Sequence, residues 1–320
     1  MPNRPGAAAN ESPGAPRPLV VGHRGARARF PENSLPAVRH ALESGADGVE
    51  VDARLTADGV LAVIHDATLP DRFRDAGGEA PAAGLSVRDL SFESLRRFDC
   101  GAVADTRFPA QRAVPGARVP SLHEVFDLLD ALAPCAASRA LLFLELKREE
   151  GPPSRTTHAR LAVDLLRQRG ALARTFVLSF DHALLRAARD LEPTLATVPL
   201  VNRETDLPAL ARSEAASWIG PRHALLDAPA VEALHAEGVR VFAWTANEPG
   251  EQDRLASLGV DAIGTDDPEA LLGRLASRTR PWGDGGSFRP STIRARTSDT
   301  ERDAPTARGR RSPPSPRTRG

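Results

Sequence analysis

Two short segments place charge where a folded chain rarely tolerates it. In Gly48-Val49-Glu50-Val51-Asp52 the acids alternate with valines, and in Leu144-Glu145-Leu146-Lys147 an acid and a lysine alternate with leucines. Residues two apart on a strand share a face, so Glu50 and Asp52 point one way and Val49 and Val51 the other. Carboxylates gathered inside a protein repel one another and take up protons unless something offsets them. A hard divalent cation, Mg2+ or Ca2+, does so, because carboxylate oxygen is its preferred ligand. Glu50, Asp52 and Glu145 are therefore the candidate metal ligands. One Glu-x-Asp alone is served equally well by strand arginines such as Arg54. Two such pairs, both at strand ends, favour the metal.

Two histidines stand beside this set. His23 closes the apolar run Leu19-Val20-Val21-Gly22 and is followed by Arg24-Gly25; His65 closes Val60-Leu61-Ala62-Val63-Ile64 and is followed by Asp66. A pair of imidazoles at the ends of barrel strands, next to a candidate metal, suggests a general acid and a general base. Arg24 adds a planar guanidinium whose fork matches phosphate oxygens, which points to an anionic substrate. Lys147 is the only lysine among 42 lysines and arginines. In a chain that otherwise uses arginine, it either marks a place where a compact ammonium matters or survives there by chance. His40, His123, His158, His182, His223 and His235 have no such company and read as structural or exposed.

These residues need a scaffold, and the hydrophobic pattern supplies one. Strand-like runs at residues 19–23, 48–52, 60–65, 140–147, 175–180, 194–200, 216–220 and 239–245 alternate with helical patterns at 34–44, 122–132, 161–169, 183–190, 207–212, 231–237 and 251–258. Asp261 to Gly264 is a ninth, very short strand candidate. Repeated βα units predict a parallel sheet covered by helices. About eight units over roughly 260 residues match a (β/α)8 TIM barrel, with a doubly wound open sheet as the rival fold. One unit is abnormal: more than 70 residues separate Asp66 from Ala140, with little strand signal and with Gly77-Gly78, Pro81, Pro109, Pro115 and Gly116 as punctuation. Extra length after a barrel strand falls on the active-site face, so this insertion after the third strand, about residues 67–120, is expected to cover the site.

Composition sets the outer bounds. The chain has 320 residues, 41% of them hydrophobic, which excludes wholesale disorder. No stretch approaches the roughly 18 apolar residues of a membrane span, so no integral membrane contact is expected. Cys100 and Cys135 make no disulfide scaffold and lack zinc-site spacing, and residues 1–17 lack the apolar core of a secretory signal. A cytoplasmic location with reduced thiols is the expectation. The formal net charge of +0 averages two unlike parts: residues 281–320 hold nine arginines against four acids. Residues 1–17 and this basic tail, 279–320, read as disordered, and the tail as a solvated extension rather than a nucleic-acid or lipid anchor. The barrel is expected over residues 18–278.

The motifs together resemble the glycerophosphodiester phosphodiesterase family. The likeness is carried by His23-Arg24-Gly25, Pro31-Glu32-Asn33-Ser34, Gly45-Ala46-Asp47-Gly48-Val49-Glu50-Val51-Asp52, Asp58-Gly59 and His65-Asp66. It continues through Val119-Pro120-Ser121-Leu122, Leu144-Glu145-Leu146-Lys147, Ser179-Phe180-Asp181, Trp244-Thr245-Ala246-Asn247, Gly259-Val260-Asp261 and Thr265-Asp266-Asp267-Pro268. Each motif is short; their number, order and spacing over residues 19–275 make the set specific. The resemblance implies a (β/α)8 barrel with an insertion after the third strand, and hydrolysis of a small-molecule glycerophosphodiester to glycerol 3-phosphate and an alcohol. It also implies a divalent cation on Glu50, Asp52 and Glu145, His23 and His65 as acid and base, Arg24 as a phosphate ligand and Lys147 as a positive charge near the phosphate. Phe180 and Trp244, at strand ends, are placed either to pack against glycerol carbons or to fill the core.

One departure stands out: the family's Arg-Thr-Thr run after the His-Asp motif is replaced by Asp71-Arg72-Phe73-Arg74, which predicts a different alcohol at the substrate-facing loop. Two rival functions share the residues. A lysophospholipase D or sphingomyelinase-D-like enzyme would use the same cation and histidine pair, but the long insertion favours the glycerophosphodiesterase. A non-catalytic phosphodiester-binding barrel is disfavoured by the full set of His23, Glu50, Asp52, His65, Glu145 and Lys147.

Overall fold

The computed structural model describes residues 17–132, 140–148 and 154–278. The segments expected to be disordered, 1–17 and 279–320, lie outside these residues except for Arg17, whose guanidinium pairs with Asp47 at 2.6 Å; Cys135 also lies outside. Within them, strands β1 (Leu19–His23), β2 (Gly48–Leu55), β4 (Leu141–Leu146), β5 (Thr175–Ser179), β6 (Ala196–Val201), β7 (Trp218–Pro221), β8 (Arg240–Ala243) and β9 (Ala262–Thr265) are parallel and joined in a ring. The ring closes at β1, which pairs with β2 on one side and β9 on the other. The short Asp261–Gly264 candidate is thus the closing strand, displaced by one residue. Helices α1 (Leu35–Glu43), α3 (Leu122–Ala131), α4 (Arg155–Gln168), α5 (His182–Leu191), α6 (Leu207–Ser213), α7 (Ala228–Ala236), α8 (Pro249–Leu258) and α9 (Pro268–Arg278) alternate with the ring strands. The fold is a (β/α)8 barrel.

Strand parity sorts the side chains into two cores. Val49, Val51, Leu142 and Leu144 face outward and pack with Val38, Leu42, Phe126 and Leu166 of the helices. The inward residues Val21, Phe143, Leu178, Val198, Leu200, Trp218, Phe242 and Ala262 plug the ring. Phe143 is fully buried and lies 4.7 Å from Phe176 and 4.8 Å from Phe242, ring centre to ring centre. Burying a side chain of that size contributes roughly 1.5–3 kcal/mol, so the barrel has a packed floor beneath the charged residues. Local signals agree with the elements. Ser34 caps α1, accepting from the Ala37 amide, with Pro36 in the first turn, and Ser121 and Glu124 form a reciprocal capping box on α3.

The third strand of the chain differs from the other eight. β3 (Leu61–Val63) pairs antiparallel with β2, Ala53 opposite Val63, and takes no place in the ring. Its sequence looks like a barrel strand because both faces are buried. Leu61 and Val63 enter the outer barrel core, while Ala62 joins a separate cluster of Ile64, Leu69, Phe73, Val87, Leu95, Cys100 and Val119. That second cluster is the insertion's own core. It includes one helical turn, α2 (Phe92–Leu95), and buries Cys100, whose thiol is pushed up to about 12 by that burial and is therefore inert. His65 accordingly follows the hairpin strand and not, as the alternation of strands and helices predicts, a barrel strand.

Candidate active site

Register assembles the charged residues. β1 pairs with β2 so that His23 lies opposite Glu50, and β2 pairs with β4 so that Asp52 lies opposite Glu145. His23 ends β1 and Glu145 is next to last in β4, Glu50 and Asp52 lie midway along β2, and all four point inward. One carboxylate oxygen from each of Glu50, Asp52 and Glu145 lies within 4.8 Å of the others, and all three residues are buried. Lys147, just past the end of β4, places Nζ 2.8 Å from Asp52 Oδ1 and 2.8 Å from Glu145 Oε1. Arg24 Nε lies 3.3 Å from Asp52 Oδ2.

The charges do not balance from within. Burial would raise every carboxyl here, but at Asp52 the cations Lys147 and Arg24 outweigh it and hold the group well below the usual range. At Glu50 burial is reinforced by Asp52 and Glu145, and together they hold its carboxyl well above the usual carboxylate range. Burial pushes Glu145 up to about 7, against the pull of Lys147. Burial is likewise overcome at Lys147, whose ammonium is held by Asp52 and Glu145. Glu50 Oε1 is buried and has no hydrogen-bond partner among the described residues. An oxygen-rich, buried donor set with an unused acceptor and an excess of negative charge fits a hard divalent cation.

Each of the two histidines has Nδ1 on a carboxylate. His23 Nδ1 is 2.6 Å from Asp266 Oδ1, and its Nε2 is 3.9 Å from Glu50 Oε2. Asp266 follows β9 directly; Asn247 donates from Nδ2 to its Oδ2 at 2.7 Å and accepts from its amide at 2.9 Å. Burial lowers the basicity of His23, opposed by the hydrogen bond to Asp266. His65 Nδ1 is 2.7 Å from Asp66 Oδ1.

The loop after β1 is fastened tightly. Arg24 and Asn33, which bracket it, both have φ of 56°, a left-handed conformation that costs on the order of 1–3 kcal/mol in a residue with a side chain. Both are held. The Arg24 amide donates to Glu50 Oε2 at 2.9 Å, and Asn33 exchanges hydrogen bonds with Asp52 at 2.7 and 3.1 Å. Gly25 between them has no alternative: a Cβ there would sit 2.5 Å from the Ala37 carbonyl carbon. The guanidinium of Arg24 also reaches Glu32 through Nη1 at 3.0 Å, so the residue expected to bind phosphate is at the same time ion-paired to two acids.

Phe180 and Trp244 meet edge to face at 5.4 Å, at the ends of β5 and β8. Trp244 anchors its indole by donating from Nε1 to the Gly220 carbonyl at 2.6 Å, while Phe180 is 42% exposed. The pair forms a ledge above the ring's floor, with Trp244 also packed against the buried cluster beneath. Four further residues at the site, Glu32, Asn33, Asn247 and Asp266, belong to the motifs but have no chemical role in the sequence reading. Polar residues one or two positions beyond an apolar strand were the available signal, and it applies to Asp266 as it does to His23.

Among the described residues no helix is long and apolar enough to cross a membrane. The glycerophosphoryl diester phosphodiesterase family matches residues 23–270. The glycerophosphodiester phosphodiesterase of Caldanaerobacter subterraneus is 32% identical over 256 residues, covering 79% of this chain and 96% of its own length. The enzyme of that name from Bacillus altitudinis is 30% identical over 264 residues. A crystal structure from Silicibacter pomeroyi, of a protein provisionally named a glycerophosphoryl diester phosphodiesterase, is 31% identical and superposes with a TM-score of 0.77, over 82% of this chain and 95% of that one. With the barrel, the ordered motifs and these relatives in agreement, the chain belongs to the glycerophosphoryl diester phosphodiesterase family and is a phosphodiesterase.

Proposed function

We propose that the chain hydrolyses glycerophosphodiesters to glycerol 3-phosphate and an alcohol, using a divalent cation on Glu50, Asp52 and Glu145 and the histidines His23 and His65 as acid and base. The reading is carried by one arrangement: three buried carboxylates within 4.8 Å of one another at the barrel mouth, with two carboxylate-supported imidazoles in the same site. The relative of known structure from Oleispira antarctica was solved with sn-glycerol-3-phosphate, at 22% identity and a TM-score of 0.68.

When bound, the cation, Mg2+ or Ca2+, supplies charge neutralisation at the phosphate oxygens. Arg24 adds a guanidinium and Lys147 an ammonium, each lessening the repulsion between an anionic diester and its nucleophile. Lys147 first separates Asp52 from Glu145 and then offers its charge to the phosphate. With Nδ1 of each imidazole on a carboxylate, Nε2 is the nitrogen that faces the reaction. One histidine takes the proton of the attacking hydroxyl and the other protonates the departing alkoxide. Attack by the glycerol 2-hydroxyl gives a cyclic phosphate as the alcohol leaves, and water then opens the ring with the two histidines exchanging roles. The Phe180–Trp244 ledge packs against the carbons of the glycerol.

Release of glycerol 3-phosphate from glycerophosphocholine, with and without a chelator, tests the proposal. Activity that disappears with the chelator and returns with Mg2+ or Ca2+ supports it, and hydrolysis untouched by chelation removes the cation from the mechanism.

A further inference from the structure

We infer that the insertion sets the position of Arg24, with Arg72 and Glu32 as positioning residues for the reaction. The inference rests on the reading of Arg24 as a phosphate ligand. Arg72 belongs to the Asp71-Arg72-Phe73-Arg74 run in which the chain departs from its family's pattern. Its Nη2 lies 2.9 Å from Glu32 Oε1.

Glu32 is a hub. Its Oε2 takes Arg24 Nη1 at 3.0 Å and Arg27 Nε at 2.8 Å, while Oε1 takes Arg72. The Glu32 side chain is 9% exposed, so these cations are its environment in place of water. The division between the two oxygens is the basis of the inference. A carboxylate is planar and turns about its last bond; an anchor on Oε1 fixes the direction of Oε2. Arg72 thereby fixes the oxygen on which Arg24 rests.

The insertion makes a second contact to the same hub. The guanidinium of Arg27 lies 4.7 Å from the centre of the Phe108 ring, a cation–π arrangement that keeps Arg27 in place although it sits among like charges. Arg24 has particular need of such fastening. Its backbone is left-handed, and a strained loop relaxes when its contacts are removed. Arg72 also lines one crevice with Glu32, Asn33 and His65, so the insertion reaches both histidine-bearing and phosphate-binding parts of the site. An ion-pair hub serving stability alone would not require Arg24 to be its most strained member.

The test is a double-mutant cycle read as kcat/KM on glycerophosphocholine with the cation present, alongside melting temperatures. The variants are Arg24→Ala, Arg72→Ala, Glu32→Gln and the double variant Arg24→Ala/Arg72→Ala. Arg72→Ala is expected to lose about tenfold in kcat/KM, chiefly through KM, and to lose nothing further when Arg24 is already alanine, since the two act as one unit. Glu32→Gln, which removes the charge and keeps the size, should match Arg72→Ala or exceed it. Should Arg72→Ala unfold below the assay temperature, Arg72→Lys, which keeps the charge and loses the fork, replaces it in the cycle. Arg72→Ala at full activity overturns the inference. An equal loss in both backgrounds, with Arg24→Ala itself impaired, overturns the coupling and leaves Arg24 as a phosphate ligand. Arg24→Ala at wild-type activity overturns the reading of Arg24 and the inference together.

Discussion

His23 and His65 present the same dyad on different foundations. His23 ends a barrel strand with its side chain 18% exposed, and its partner Asp266 is 7% exposed and clamped by Asn247. His65 lies beyond the hairpin strand β3, 33% exposed, and its partner is its neighbour in sequence, Asp66, at 44%. One imidazole is oriented by the closed ring, the other by a local contact at the root of the insertion. The first arrangement is costly to assemble and hard to perturb. The second is open to solvent, and to whatever the insertion does.

The largest effects test whether both dyads take part. His23→Ala and His65→Ala should each lower turnover by roughly 10²–10⁴-fold at unchanged melting temperature. Near-normal turnover in either, in glycerol 3-phosphate release, removes that histidine from the chemistry and the comparison with it.

The partners sharpen the contrast. Asp266→Asn should cost on the order of 10²-fold in turnover, because a buried amide in that place favours the wrong imidazole tautomer. Asp66→Asn should cost less than about tenfold, since water can replace a half-exposed carboxylate. Equal losses would mean that burial does not separate the two dyads.

Lys147 extends the comparison to the ring's own charge. Lys147→Met leaves Asp52 and Glu145 without the ammonium between them, and should lose at least as much activity as Lys147→Arg, whose fork does not reproduce two contacts of 2.8 Å from one atom. Kinetics of both variants on glycerophosphocholine decide the matter. An arginine variant equal to wild type defeats the argument from shape, and an active methionine variant defeats the one from charge.

His158 is the control, a histidine on α4 that is buried without a hydrogen-bonded acid. Its Nε2 has no partner among the described residues, and burial, aided by Arg54, lowers its pKa to about 4. The unfolded chain, with an ordinary histidine near 6.5, binds the proton more readily. Stability should therefore be complete above pH 6.5, fall as the pH drops toward 4, and level off below it, a loss of about 3 kcal/mol at most. Melting temperature against pH should flatten in that window for His158→Gln. An unchanged acid slope would show that burial at this histidine is not what the acid limb reports.

The parts of the site that lie along one strand were legible in the sequence. Alternation alone puts Glu50 with Asp52 and Glu145 with Lys147, and adjacency alone offers Asp66 to His65. Pairings across strands were not, because register and strand order belong to the closed ring. Nothing local says that Asp52 faces Glu145, or that Asp266 reaches His23. β3 misleads for a related reason: an apolar run reads as a ring strand whether its outer face is covered by barrel helices or, as here, by the insertion's core.

The contact between His23 and Asp266 spans 243 positions and joins the first strand of the ring to the last. A ribosome therefore delivers the site in stages. The carboxylate cluster is complete once β1, β2 and β4 are made, whereas the support for His23 comes with the last strand of the ring. A nascent chain held short of β9 has the means to gather the acids but not to orient its first imidazole. The orientation of His23 thus depends on the closing strand of the ring being in place.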